Sequence, residues 1–241
     1  MDTIYNNILS SILNGKKLLV VLIDPDKMTI EKVGAFISKL NQSITTHVFV
    51  GGSTVDENST DLLVDEIKSH TKLPIILFPG DVHQITDKAD AILFLSLISG
   101  RNSEYLIGKH IDSVSKLKKT NLEVISTGYI LIESGKESAV ERVTGTSPMP
   151  RNSIQKIVDT AKAGELLGMK LIYLEAGSGA LNSISNKIIV EAKKELKIPL
   201  IVGGGIRTKE DLDEAYKSGA DLVVIGTAFE EDESFFEEIK K

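Results

Sequence analysis

Four short stretches combine residue types and spacing that can do chemistry, and each lies at the end of an apolar run. Asp24 and Asp26 flank Pro25 directly after LLVVLI. A hard divalent cation takes oxygen ligands, usually one or two carboxylates completed by phosphate and water. Asp24, with Ser53 at the end of the next apolar run, therefore suits Mg2+ bridged to a diphosphate. Asp26 has a second assignment, as the cap of a helix starting near Thr29. Glu175 closes LIYLE, between Leu174 and Ala176, where a carboxylate is costly unless it is paired or working. It reads as a general base, with an ion pair to Lys or Arg as the competing assignment. Tyr173, two residues earlier on the same side of a strand, either hydrogen-bonds a polar substrate or fills a core layer. Gly203, Gly204 and Gly205 precede IRTKEDLDEA, and Gly226 and Thr227 end the following apolar run. Residues without a Cβ let backbone N–H groups approach an anion, and a helix starting at the next turn adds its positive end. Phosphate binding is the chemistry expected there, against a tight turn with close strand packing. Ala176, Gly177, Ser178 and Gly179 extend the same cradle, with Ser178 as a hydroxyl donor.

Other chemistries lack their residues. No Lys lies within an apolar run, which disfavours a Schiff-base aldolase. His47, His70, His83 and His110 are scattered without H-x-H or H-E-x-x-H spacing, so they are read as structural rather than as zinc ligands. The chain contains no Cys, which removes disulfides, thiolate catalysis, iron–sulfur clusters and Cys-ligated zinc. Dinucleotide and P-loop glycine motifs are absent. A net charge of -6 argues against a basic face for nucleic acid. No stretch reaches the ~18 uninterrupted apolar residues that span a bilayer, and MDTIYNNILSSILNGKK lacks a signal-peptide pattern. A cytoplasmic location is expected.

The elements that must position these residues follow from the apolar runs. Strands are expected at LLVVLID, HVFVGG, PIILFPGD, AILFLSL, LEVISTG, LIYLEAG, PLIVGGG and LVVIGTA. Most are near-continuous rather than alternating, as in parallel strands buried on both faces. Helical spacing separates them, for example Ile30, Val33, Ile37 and Leu40. A 241-residue chain is the size of one α/β barrel, and a single (β/α)8 TIM-barrel domain over residues 1–241 is the economical fold, with a doubly wound open sheet as the alternative. A βα unit needs roughly 30 residues. The short step from Pro74 to Ala91 implies that the third helix is missing or degenerate, and the long step from Leu122 to Leu171 holds an extra segment, GYILIESGKESAVERVTGTSPMPRN, expected to cover something. Residues 2–14 carry apolar side chains at helical spacing that can plug the barrel bottom, and Glu230 to Lys241 reads as one acidic helix with its phenylalanines turned to the barrel.

Taken together and in this order, LIDPDK, VGGS, STGYILIE, PMPRN, YLEAGSGA, IVGGGIR and IGTA make the sequence resemble the geranylgeranylglyceryl phosphate synthase family, in its group with Glu-Ala-Gly after strand 6. The resemblance extends over nearly the whole chain. It implies a modified (β/α)8 barrel without its third helix. It also implies a prenyltransferase that joins sn-glycerol 1-phosphate to a long polyprenyl diphosphate such as geranylgeranyl diphosphate, with Mg2+ as cofactor. By resemblance Asp24 and Ser53 hold the metal. Tyr173, Leu174, Glu175, Ala176, Gly177, Ser178 and Gly179, with Gly204, Gly205, Gly226 and Thr227, bind glycerol phosphate, and Glu175 assists deprotonation of its hydroxyl. A homo-oligomer (dimer or hexamer), no nucleic acid and at most transient membrane contact are implied as well. One departure stands out: another branch of the family carries a Lys where this chain has Leu22, so any contact from that Lys falls to Lys27, to Arg207 or to nothing. The runner-up is a phosphate-binding TIM-barrel isomerase or lyase acting on a sugar phosphate, which needs the glycine clusters but neither metal nor lipid. A flavin- or phosphate-binding module without catalysis is the third.

Overall fold

The computed structural model describes residues 3–53, 55–56 and 59–241, with only the backbone given for Glu231. Eight parallel strands close into a barrel: β1 (Leu18–Ile23), β2 (Thr45–Val50), β3 (Ile75–Leu77), β4 (Ala91–Leu97), β5 (Glu123–Leu131), β6 (Leu171–Glu175), β7 (Leu200–Gly203) and β8 (Leu222–Ile225). Each pairs with the next and β8 returns to β1, so the sheet has no free edge. The helices are α1 (Ile4–Leu13), α2 (Ile30–Gln42), α3 (Ser59–His70), α4 (Lys109–Leu117), α5 (Ala139–Thr144), α6 (Ile154–Leu166), α7 (Asn186–Glu195), α8 (Lys209–Ser218), α9 (Thr227–Glu231) and α10 (Phe235–Glu238). Between β3 and β4 the chain makes one 3-10 turn, Val82–Gln84, and a π-helical turn, Glu104–Gly108, leads into α4. No helix among the described residues is long and apolar enough to cross a membrane.

The continuous apolar runs have a direct cause. Alternate side chains of each strand point to opposite faces, and both faces are covered. Leu19, Val21 and Ile23 of β1 join the layer between sheet and helices, whereas Leu18 and Val20 fill the barrel with Phe49, Tyr129, Tyr173 and Ile201. Glu123, at the amino end of β5, accepts the Ile4 and Tyr5 N–H groups (2.5 and 3.2 Å), and α1 there packs Ile8 into the barrel-filling layer.

Two details differ from the sequence reading. Glu230 to Lys241 does not form one helix: α9 stops at Asp232, whose Oδ1 accepts the Ser234 N–H (2.8 Å) and starts a new turn. The rings of Phe235 and Phe236 do turn inward: both are buried in the layer between sheet and helices, where Phe236 packs on Phe36 of α2 (5.2 Å). Strand 5 also runs past Thr127 and Gly128 to Leu131. The polar residues mimic a strand end, but the Thr127 hydroxyl bonds the Ile125 carbonyl within its own strand (2.9 Å). Gly128 serves helix packing, because a Cβ there would lie 2.7 Å from Met169 Sδ. Tyr129 is consequently a barrel residue, opposite Tyr173.

Candidate active site

The carboxyl ends of β6, β7 and β8 bring three glycine-bearing connections into contact. Gly179 N–H donates to Thr227 Oγ1 (3.1 Å), and Ser178 Oγ lies 3.1 Å from the same oxygen. Gly204 and Gly205 both have left-handed backbones, φ 83° and 75°. A Cβ on Gly204 would sit 2.7 Å from Gly177 N, and one on Gly205 would sit 2.9 Å from Ser183 N. Turn geometry and close packing thus account for these two glycines, as the competing assignment held. The same geometry leaves the Ser178, Gly204 and Gly205 amides without an acceptor among the described residues. Unpaired amides in a concave turn form an anion site. The helical contribution is small, since α9 has five residues and α8 begins six residues beyond Gly203.

Glu175 is buried at the floor of this cradle. Its Oε1 accepts the Gly177 N–H at 2.6 Å. Burial pushes its carboxyl above the usual range, and the neighbouring Tyr173 hydroxyl and the Gly177 amide only partly oppose this. No ion pair to Lys or Arg forms among the described residues, so that assignment falls away. Tyr173 is fully buried, and its hydroxyl stands near Glu175 without completing a well-formed hydrogen bond among the described residues. Such an orphaned group, beside Glu175, is poised to meet a polar ligand. Both Tyr173 and Tyr129 have phenols raised well above their ordinary value, chiefly by burial and then by the Glu175 charge. Leu174 and Ala176 point into the helix-facing layer and offer the site only main-chain atoms.

Across the barrel mouth, Asp24 follows β1 and Gly52 and Ser53 follow β2. The Asp24 carboxylate packs on Gly52, where a Cβ would lie 2.8 Å from Oδ1. It accepts the Asp26 N–H (3.1 Å), and Lys27 stands 3.8 Å away because its ammonium pairs more closely with Glu230 of α9 (2.8 Å). Burial raises the Asp24 carboxyl, against the Asp26 amide and Lys27, while Glu230 and Asp26 add to the rise. Asp26 does not cap α2, whose N-cap is Thr29; its Oδ1 accepts the Asp56 N–H (3.2 Å). Among the described residues no three His, Asp or Glu side chains group as a complete metal set. One half-buried carboxylate and one hydroxyl are the donors a hydrated Mg2+ uses when a substrate phosphate completes its shell.

From Gly52 and Ser53 a groove runs over the β3–β4 connection. Phe78, Ile85, Ile92, Phe94, Leu95, Tyr105, Val140 and Val143 wall it, and Tyr129 separates it from Glu175. Only the 3-10 turn Val82–Gln84 stands between β3 and β4, and the π-helical turn, α4 and α5 supply the groove's outer walls. His110 also lines it, packed edge-on against Phe94 (4.3 Å), with burial holding its imidazole below the ordinary value. The sequence suggests the insertion from Tyr129 as one wall of a channel, and Tyr129, Val140 and Val143 do line the groove; that Tyr129 lies on β5 itself is hidden by the Ser-Thr-Gly before it.

Unpaired amides and a buried carboxylate thus lie together at the carboxyl end of a closed parallel barrel of the (β/α)8 class. The fold alone is shared with the tryptophan synthase α-subunit of Pyrococcus furiosus, at 14% identity and TM-score 0.56 over 89% of this chain and 88% of that one. The chain belongs to the PcrB family, whose model matches residues 11–241. It is 56% identical to the geranylgeranylglyceryl phosphate synthase of Zunongwangia profunda over 97% of this chain and 99% of that protein. The crystal structure of (S)-3-O-geranylgeranylglyceryl phosphate synthase from Thermoplasma acidophilum in complex with sn-glycerol-1-phosphate superposes with TM-score 0.93 at 33% identity, covering 99% of this chain and 96% of that one. The resemblance read from LIDPDK, YLEAGSGA and IVGGGIR is borne out.

Proposed function

We propose that this protein is a prenyltransferase that joins sn-glycerol 1-phosphate to a long polyprenyl diphosphate, forming 3-O-(polyprenyl)-sn-glyceryl 1-phosphate and diphosphate. The observation that carries the reading is the meeting of two unlike compartments at Tyr129: a polar cradle over Glu175 and an apolar groove beginning at Ser53. A phosphate-sugar isomerase has no use for the groove.

The Ser178, Gly204 and Gly205 amides hold the glycerol phosphate, and Tyr173 orients its free hydroxyl toward Glu175. The groove takes the prenyl chain and fixes its C1 at the barrel mouth. Asp24 and Ser53 are the residues that hold Mg2+. When bound there, the ion neutralises charge on the departing diphosphate. The glycerol oxygen forms its bond to C1 as the C1–diphosphate bond breaks, and Glu175 accepts the hydroxyl proton. Confinement of both partners between cradle and groove supplies much of the acceleration. Ile107, Ile111 and Val114 lie exposed on one face around α4, which supports a homo-oligomer.

The test incubates the protein with labelled sn-glycerol 1-phosphate, Mg2+ and prenyl diphosphates of increasing length, with the sn-3 enantiomer as control. An organic-extractable product from the sn-1 substrate alone is expected. No product at any length, from folded protein, refutes the reading.

A further inference from the structure

The segment between β5 and α5 lies directly on the connection that follows β6. It is pinned along its length: Glu133 N–H donates to the Met149 carbonyl (2.9 Å), Arg151 Nη1 to the Glu133 carbonyl (3.1 Å), and Asn182 N–H to the Ser134 carbonyl (3.0 Å). Three glycines make the approach possible. A Cβ on Gly135 would meet Asn182 Nδ2 at 2.7 Å, one on Gly177 would meet Ser138 Cβ at 2.7 Å, and one on Gly179 would meet Lys136 Nζ at 2.9 Å. All three have positive φ (88°, 99° and 65°), so the two chains touch backbone to side chain where L residues rarely fit.

The last of these contacts sets an ammonium group against Gly179, the residue whose N–H is bonded to Thr227 Oγ1. Lys136 pairs with no carboxylate among the described residues. Its sequence neighbour Glu137 is turned to Arg142 (3.5 Å). On the far side of the same connection, Arg207 donates to the Ala180 carbonyl (2.8 Å). We propose that Lys136 is a phosphate-binding residue that closes the cradle from above, its ammonium pairing with the phosphate of the glycerol substrate held on the Ser178, Gly204 and Gly205 amides. The amides supply direction and the ammonium supplies charge. A dianion and a lysine form a charge-assisted hydrogen bond stronger than one from a neutral amide. The identity of the substrate rests on the function proposed above; the anion preference does not.

The experiment titrates wild type, Lys136→Ala and Lys136→Arg with inorganic phosphate and with sn-glycerol 1-phosphate by calorimetry, and measures steady-state rates with both substrates. Lys136→Ala is expected to weaken both ligands about tenfold, after allowance for the exposure of the side chain. KM for glycerol phosphate rises by the same factor, while kcat and KM for the prenyl diphosphate stay within about twofold. Lys136→Arg retains most of the affinity. A purely structural Lys136 would not give this split, because its ammonium makes no hydrogen bond or ion pair among the described residues. Wild-type affinity for both ligands in folded Lys136→Ala overturns the proposal. Lys136-dependent phosphate binding by a wild-type protein that makes no ether product would instead overturn the proposed function and leave this inference standing.

Discussion

Substituting Gly204 with alanine separates backbone strain from damage to the site. Gly204 has φ 83°, and a Cβ there would lie 2.6 Å from Glu175 Oε1 and 2.9 Å from Ala176 Cβ. The left-handed conformation alone costs an L residue roughly 1–2 kcal/mol. Ordinary contact begins at 3.4 Å, so the Glu175 carboxylate must also move by about 0.8 Å or lose its Gly177 hydrogen bond. A displacement near 1 Å in a reacting group costs on the order of a hundredfold in rate. Gly15 provides the control, since its φ is 72° and a Cβ there would meet nothing within 4 Å. Gly15→Ala is expected to lower Tm by roughly 2–8 °C, at about 2–4 °C per kcal/mol for a chain of this size, with unchanged kcat. Gly204→Ala is expected to lower Tm further and kcat about a hundredfold. The assays are thermal unfolding by circular dichroism and ether-product formation at saturating substrates. Equal Tm losses in the two variants, or wild-type kcat in Gly204→Ala, would refute the collision between Gly204 and the carboxylate as the reason for that glycine.

Glu175→Gln should lower kcat by about 10²–10⁴ while raising stability at neutral pH, which thermal unfolding beside a rate assay will show. The sign follows from the raised carboxyl: the folded state holds its proton more tightly than the unfolded state, so the Glu175 contribution to stability is fullest below the unfolded value and is lost as pH rises through the folded one. The rate runs the other way, with an acid limb above the usual carboxylate range that disappears in the variant. Asp24→Ala is expected to abolish turnover yet shift Tm by no more than about 2 °C, because it removes a carboxylate that burial already disfavours. A stable variant with more than a tenth of wild-type activity would exclude Asp24 as a metal ligand. At the opposite end of the barrel, Asp221 is nearly buried and joins Lys193 (2.5 Å) to the Leu200 N–H (2.8 Å). Asp221→Ala should cost about 3 kcal/mol, or roughly 6–12 °C in Tm, with kcat unaltered.

The barrel was legible in the sequence because its strands are short, apolar on both faces and spaced at the length of a βα unit. Its catalytic end was legible because polar residues can follow those runs only where the chain leaves the sheet. Asp24, Ser53, Glu175 and the glycine clusters were found in that way. Strand 5 misled, since Ser126, Thr127 and Gly128 look like an exit; Gly128 is small for the sake of Met169, forty-one positions onward, and the strand continues to Tyr129 and Leu131. Sequence spacing assigned Gly177 and Gly179 to an anion; it did not show that their missing Cβ atoms also make room for Ser138 and Lys136. The residue types proposed for a cradle, a base and a metal site are fixed by local order along the chain. Which glycine makes room for which side chain, that Tyr129 divides the groove from Glu175, and that Lys136 reaches Gly179 depend on contacts between segments far apart in the sequence. Only the closed barrel, which brings the ends of all eight strands to one rim, decides them.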